Sequence, residues 1–147
     1  MAFVIDHVFE VAAPAERVWA VVTDLAGYRE WNPFVIACTS TLEVGDPIDM
    51  RVRLLGFAQP QREQILEHVR GRRLCYGLAP SRLGALASRR SHEVEPLGAN
   101  RSRYVSHFEI RGWLAPVVKF LLARRLRAGF SAMSAALVTR AETAIRA

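Results

Sequence analysis

The chain is 147 residues long, 51% apolar and 23% charged, which excludes a disordered or low-complexity polymer and suits one domain, residues 1–147, around one core. No run approaches the roughly 20 apolar residues of a membrane-spanning helix, and MAFVIDHVFEV carries an acid and alternates at once, so neither signal peptide nor anchor is expected there. The 20 Lys and Arg against 14 acids give a net charge of +6, which favours an anionic partner without choosing one.

From Phe3 to Val11, Phe3, Ile5, His7, Phe9 and Val11 fall on one face and Asp6 and Glu10 on the other, the period of a half-buried strand. Pro14 opens a helical pattern, AERVWAVVTDL, with Val18, Trp19, Val22 and Leu25 as its buried stripe. A second short helix is expected in DLAGYREWNP, capped by Asp24 and ended at Pro33, which biases Asn32 away from helical geometry. Residues 34–41 and 48–55 then read as a hairpin across the turn signal EVGDP, and Ile48, Met50, Val52 and Leu54 alternate there with Asp49, Arg51 and Arg53. Further strands are predicted over 61–69, 73–78, 85–95 and 101–111, with turns at Arg70 and Gly71 and at residues 96–100.

From Trp113 the period changes to that of a helix, with Leu122, Leu126, Phe130, Met133, Leu137, Ala141 and Ile145 recurring every three or four residues. Pro116 is expected in its first turn, and Gly129 is expected to be a weak point. The predicted fold class is therefore α+β: a curved antiparallel sheet of about six to seven strands wrapped around a long C-terminal helix, with two short helices after the first strand.

The alternating first strand, APAERVWAVVTDLAGYREWNP, EVEPLGANRSRYVSHFEIRGW and LAPVVKFLLARRLRAGFSAMSAAL together resemble the SRPBCC, START-like helix-grip superfamily, in particular its polyketide cyclase/dehydrase and lipid-transport branch. The resemblance spans nearly the whole chain. It implies a cavity between sheet and helix, but its members include lipid carriers, hormone-binding proteins, aromatase/cyclases and co-chaperones, so it implies no one reaction. Trp31, Asn32 and Pro33 match the family's Trp-Asn-Pro segment, which can border the cavity entrance or serve only as a corner.

The expected ligand cavity is walled by Trp31, Phe34, Met50, Val52, Leu54, Tyr76, Leu78, Phe108, Phe130 and Met133, any one of which is equally readable as packed core. Tyr76, Tyr104 and Ser106 offer hydroxyls to orient a ligand's polar group, or satisfy a backbone neighbour instead. Strand parity sends His7 and His92 inward and His107 outward; His92 belongs to the expected cavity set, as a hydrogen-bonded core residue or an acid/base group.

Cys38 and Cys75 stand far apart without metal-ligand spacing, so neither disulfide nor metal site is encoded; no cofactor fingerprint or nucleophile motif is present. A reducing cytoplasm is the expected compartment.

Basic residues gather at Lys119, Arg124, Arg125 and Arg127, at Arg70, Arg72 and Arg73, and at Arg89 and Arg90. They read as solvated faces or, for the helix set, as a docking surface for an anionic membrane or an acidic protein. Nucleic acid is disfavoured because the aromatic residues fall on buried periods and not beside the arginines. Three functions fit: a carrier of a lipid, isoprenoid, polyketide or aromatic compound; a cyclase or dehydratase acting on such a molecule; or a co-chaperone-like interaction module.

Overall fold

Seven alternating segments form one antiparallel sheet in a computed structural model that describes residues 2–81 and 83–143. They are β1 (Phe3–Val11), β2 (Val35–Ser40), β3 (Pro47–Val52), β4 (Gln59–Val69), β5 (Arg73–Gly77), β6 (Ala87–Gly98) and β7 (Arg101–Arg111). Their spatial order, β1-β7-β6-β5-β4-β3-β2, is a meander in which the first strand returns to pair with the last. β1 keeps the expected parity: Phe3, Ile5 and Val11 are buried, while Val4, Asp6, Val8 and Glu10 are exposed.

Register shifts at Val35/Ala37, Ile65/Glu67 and Pro96/Gly98 break the ladders. Such bulges bend a strand and increase its twist, curling the sheet around what lies on its inner face. That occupant is α3 (Ala115–Thr143), 29 residues or about 44 Å of helix. Leu126, Phe130, Met133, Leu137 and Ala141 are its buried stripe, as the period predicts; Ile145 lies outside the described residues. The result is a helix-grip α+β fold.

Several boundaries differ from the sequence reading. α1 (Ala15–Thr23) begins after Pro14, whose carbonyl accepts from the amides of Arg17 and Val18, so Pro14 is the cap and not part of the first turn. The second helix divides into a 3-10 turn (Leu25–Gly27) and a single-turn α2 (Tyr28–Trp31), and the Asp24 side chain makes no capping bond. Asn32 organises the exit instead: it is buried, and its Oδ1 accepts from the amides of Phe34 at 3.0 Å and Val35 at 2.9 Å.

The long helix starts two residues after Trp113, because Gly112 adopts φ 114° and lies so close to Ala85 that a β-carbon would sit 2.3 Å from its carbonyl oxygen. Gly129 is a contact point as well as a low-propensity residue. A β-carbon there would lie 2.3 Å from the Phe34 ring, so its missing side chain lets that ring lie against the helix.

Candidate ligand-binding cavity

α1 and α3 share the inner face of the sheet unequally. α1 buries Val18 and Val22 and packs against β6 and β7, filling one end. The other end holds a cavity of about 270 Å³ between the sheet and the first half of α3. Phe34, Met50, Val52 and Leu54 form one wall, with Tyr76, Leu78, Phe108 and Ile110 across from them. Val118, Leu122, Leu126 and Phe130 of α3 close the remaining side. Burial grades along it: Val52, Leu54, Val118 and Leu122 are half-buried, whereas Met50, Tyr76, Phe108 and Phe130 are buried. The mouth is therefore at the former set and the deep end at the latter.

Phe130 is the hub of the deep end. Its ring lies 5.0 Å from Phe34 edge-on and 4.4 Å from Phe108, with the Arg90 guanidinium 4.8 Å from its centroid. These are the separations at which aromatic and cation–π pairs attract.

Of the sequence-based set, Phe34, Met50, Val52, Leu54, Tyr76, Leu78, Phe108 and Phe130 lie on this wall. Trp31, His92, Tyr104, Ser106 and Met133 do not. Trp31 packs edge-on against Tyr28 at 5.1 Å, because the Asn32 corner directs Phe34 inward in its place. The other four have the right parity but the wrong position along their strands or helix, deeper than the wall.

There, Tyr76 Oη lies 3.2 Å from His92 Nε2, and His92 Nδ1 lies 2.6 Å from Tyr104 Oη. Burial, with a smaller contribution from Arg90, holds the imidazole well below its usual pKa, so it is neutral and one of its nitrogens donates while the other accepts. Burial also raises both phenols. Tyr76 is thus the only member of this chain of hydroxyl and imidazole groups that also reaches the cavity wall.

Five polar residues on the wall escaped the sequence reading: Gln59, Gln61, Glu63, Ser88 and Arg90. Gln61 Nε2 donates to Glu63 Oε2 at 3.2 Å, and burial raises the Glu63 carboxyl above its ordinary pKa. Arg90 corrects an expectation. Its place beside Arg89 suggests a solvated face, yet it is only 3% exposed and points inward. Strand alternation contained the signal, since Arg90 is two residues from the inward His92 while Arg89 is on the opposite face.

Arg89 and Arg73 lie on that outer face, both pairing with Glu67 at 3.0 Å, and Arg73 also with Glu93 at 3.1 Å. Cys38 and Cys75 are buried free thiols, and burial pushes Cys38 up to about 12. Among the described residues, no three His, Cys, Asp or Glu side chains gather as metal ligands, and no helix is long and apolar enough to cross a membrane.

A curled sheet gripping a long helix over an apolar cavity defines a START-like protein, and sequence comparison is more specific. The profile of the polyketide cyclase / dehydrase and lipid transport family matches residues 2–142, so the chain belongs to that family. No curated protein matches it.

Among solved structures it is similar to the Zhui aromatase/cyclase from Streptomyces sp. R1128, with a TM-score of 0.83 at 18% identity over 100% of this chain and 98% of that one. A START superfamily protein from Mycobacterium smegmatis superposes with a TM-score of 0.72 at 20% identity, over 95% and 97% of the two chains. A norcoclaurine synthase point mutant from Thalictrum flavum gives 0.70 at 18% identity, over 96% and 94%. At these identities the likeness establishes the fold.

Proposed function

We propose that the protein binds and carries a small hydrophobic molecule, a lipid, isoprenoid, polyketide or aromatic compound, between the sheet and α3. One observation carries this reading: the cavity wall is mostly apolar, with its few polar groups on β4, β5 and β6, the arrangement that buries a ligand's body and orients its one polar group. The test is native mass spectrometry of the purified protein followed by organic extraction. A stoichiometric apolar molecule is expected; an empty protein that also takes up no fluorescent lipid probe would overturn the reading.

A second reading, a cyclase or dehydratase acting on such a molecule, is favoured by Glu63, whose carboxyl binds its proton more tightly than usual beside Tyr76 on the same wall. It predicts that Glu63→Gln abolishes turnover of an offered polyketide while leaving its binding intact. Turnover unchanged in that variant would remove Glu63 from the chemistry.

The working place of such a carrier is the cytoplasmic face of an anionic membrane. Supporting this, the outward face of α3 exposes Val117, Phe120 and Leu121 just beyond exposed Trp113, with Phe120 at 89%. Lys119, Arg124, Arg125 and Arg127 flank them, and no acid occurs between residues 110 and 141. Apolar side chains ringed by cations suit a lipid surface better than an acidic protein. Cosedimentation with phosphatidylserine vesicles but not phosphatidylcholine ones is the expected result, and equal recovery with both would count against it.

A further inference from the structure

Among the described residues, Arg90 is the only cation on the cavity wall, and it makes no ion pair. Seven other arginines, Arg62, Arg73, Arg89, Arg101, Arg103, Arg111 and Arg140, each pair with a carboxylate. Arg90, more deeply buried than any of them, has no carboxylate within ion-pair distance among the described residues. Its Nη1 donates to Ser106 Oγ and, at 3.5 Å, to the His107 carbonyl. Its Nη2 reaches the Met133 sulfur at 3.6 Å, a weak acceptor, the Tyr104 hydroxyl lies close enough to bond the guanidinium, and its Nε has no partner.

A guanidinium stays protonated under any condition the fold tolerates, and a buried unpaired charge is strongly destabilising. Nε and Nη2, neither of them paired with a strong acceptor, are the two that form the side-on fork of an arginine. That fork matches the two oxygens of a carboxylate. Among the described residues Glu63 is the only acid on the same wall; the Arg90 charge acts on its carboxyl, but the two form no ion pair and its hydrogen bond is to Gln61 on its own strand.

We infer that Arg90 anchors an anion subsite at the deep end of the cavity, so that the ligand is an amphipathic acid: an apolar body toward Leu54, Val118 and Leu122, ending in one carboxylate at the Arg90 guanidinium. This rests on the ligand-binding reading above and narrows it to acids. Ser106 and Ser134 support the anchor, because Ser134 Oγ donates to Ser106 Oγ at 3.0 Å and leaves that oxygen to accept from Nη1.

The experiment compares decanoate with its neutral isostere decanamide by calorimetric titration at neutral pH. Wild-type protein is expected to bind decanoate at least about tenfold more tightly. In Arg90→Met the preference should fall to within about twofold while decanamide still binds, which also shows an intact cavity. Equal affinities in the wild type, or a preference that survives Arg90→Met, would overturn the anion subsite and leave the carrier reading standing. Failure of both probes to bind the wild type would overturn both.

Should Arg90→Met not fold, carbon-13 NMR of carboxyl-labelled decanoate on the wild type decides. A carboxylate held by Arg90 stays ionised below the titration range of the free acid, whereas apolar burial alone moves its titration upward. The titratable groups facing Arg90 are Tyr28, Glu63, Tyr76, His92 and Tyr104, and from the described part of α3 come Phe130, Met133 and Ser134. Burial keeps the phenols and the imidazole neutral, so the titration is repeated in Glu63→Gln to isolate the effect of Arg90.

Discussion

Replacing Gly129 with alanine opposes two effects of known size. Alanine in a helix interior is favoured over glycine by about 1 kcal/mol. The added carbon would lie 2.3 Å from Phe34 Cε1 and 2.4 Å from Cδ1, and the ring is buried against Phe130 at 5.0 Å. Overpacking of this kind costs about 1–3 kcal/mol, so the expected outcome is a net loss of about 1 kcal/mol. Urea denaturation followed by the fluorescence of Trp19, Trp31 and Trp113 measures it.

The Phe34 ring lines the cavity, so a ring displaced into it takes volume from the ligand. Affinity for decanamide should fall by at least about fivefold, the equivalent of 1 kcal/mol. Stabilisation by about 1 kcal/mol with unchanged binding would show helix propensity acting alone, and would refute the contact between Phe34 and α3.

Met133→Arg would set a second guanidinium against Arg90 in a fully buried position, and a loss of at least about 3 kcal/mol should appear as a large drop in Tm; a wild-type Tm would contradict the placement of α3. Arg125→Glu alters an exposed side chain with one long contact, 3.5 Å to the Leu54 carbonyl, so stability should change by no more than about 0.5 kcal/mol while binding to phosphatidylserine vesicles weakens.

His92→Phe leaves the Tyr76 and Tyr104 hydroxyls without their imidazole partner and should cost about 2–4 kcal/mol in urea denaturation. The same residue gives a pH dependence. Its folded pKa is depressed, so below about pH 6.5 the unfolded chain takes up a proton the folded one refuses. Stability present above that pH should fall on acidification by about 1.4 kcal/mol per pH unit, and the difference between wild type and His92→Phe isolates it.

Periodicity carried much of this structure. Alternation in β1 and β3 separated core from solvent residue by residue, and the three-and-four spacing from Leu122 to Ala141 marked the gripping face of α3. Parity is a one-dimensional signal, however: it says which way a side chain points and not how far along the strand the cavity extends. His92 and Arg90 share a face of β6, yet only Arg90 reaches the cavity, because α1 fills the end of the sheet where His92 lies. Arg90 itself was obscured by chemistry, since two adjacent arginines look like one exposed basic patch until their opposite directions are considered. Gln61 and Glu63 were obscured likewise, as polar residues on a strand whose apolar positions are few.

The pairing of β1 with β7 matches Phe3 with Ile110 and Val11 with Ser102. Everything else in the sheet is stitched between neighbours in sequence, but this seam joins the first strand to the last and carries a large loop-closure entropy. As the protein is synthesised, β1 leaves the ribosome long before its partner exists, with Phe3, Ile5 and Phe9 on one edge-strand face and no ladder to join. Such long-range pairing slows folding and prolongs the exposure of an aggregation-prone strand. The step that completes the sheet is therefore also the step at which a nascent chain is most exposed to chaperone capture.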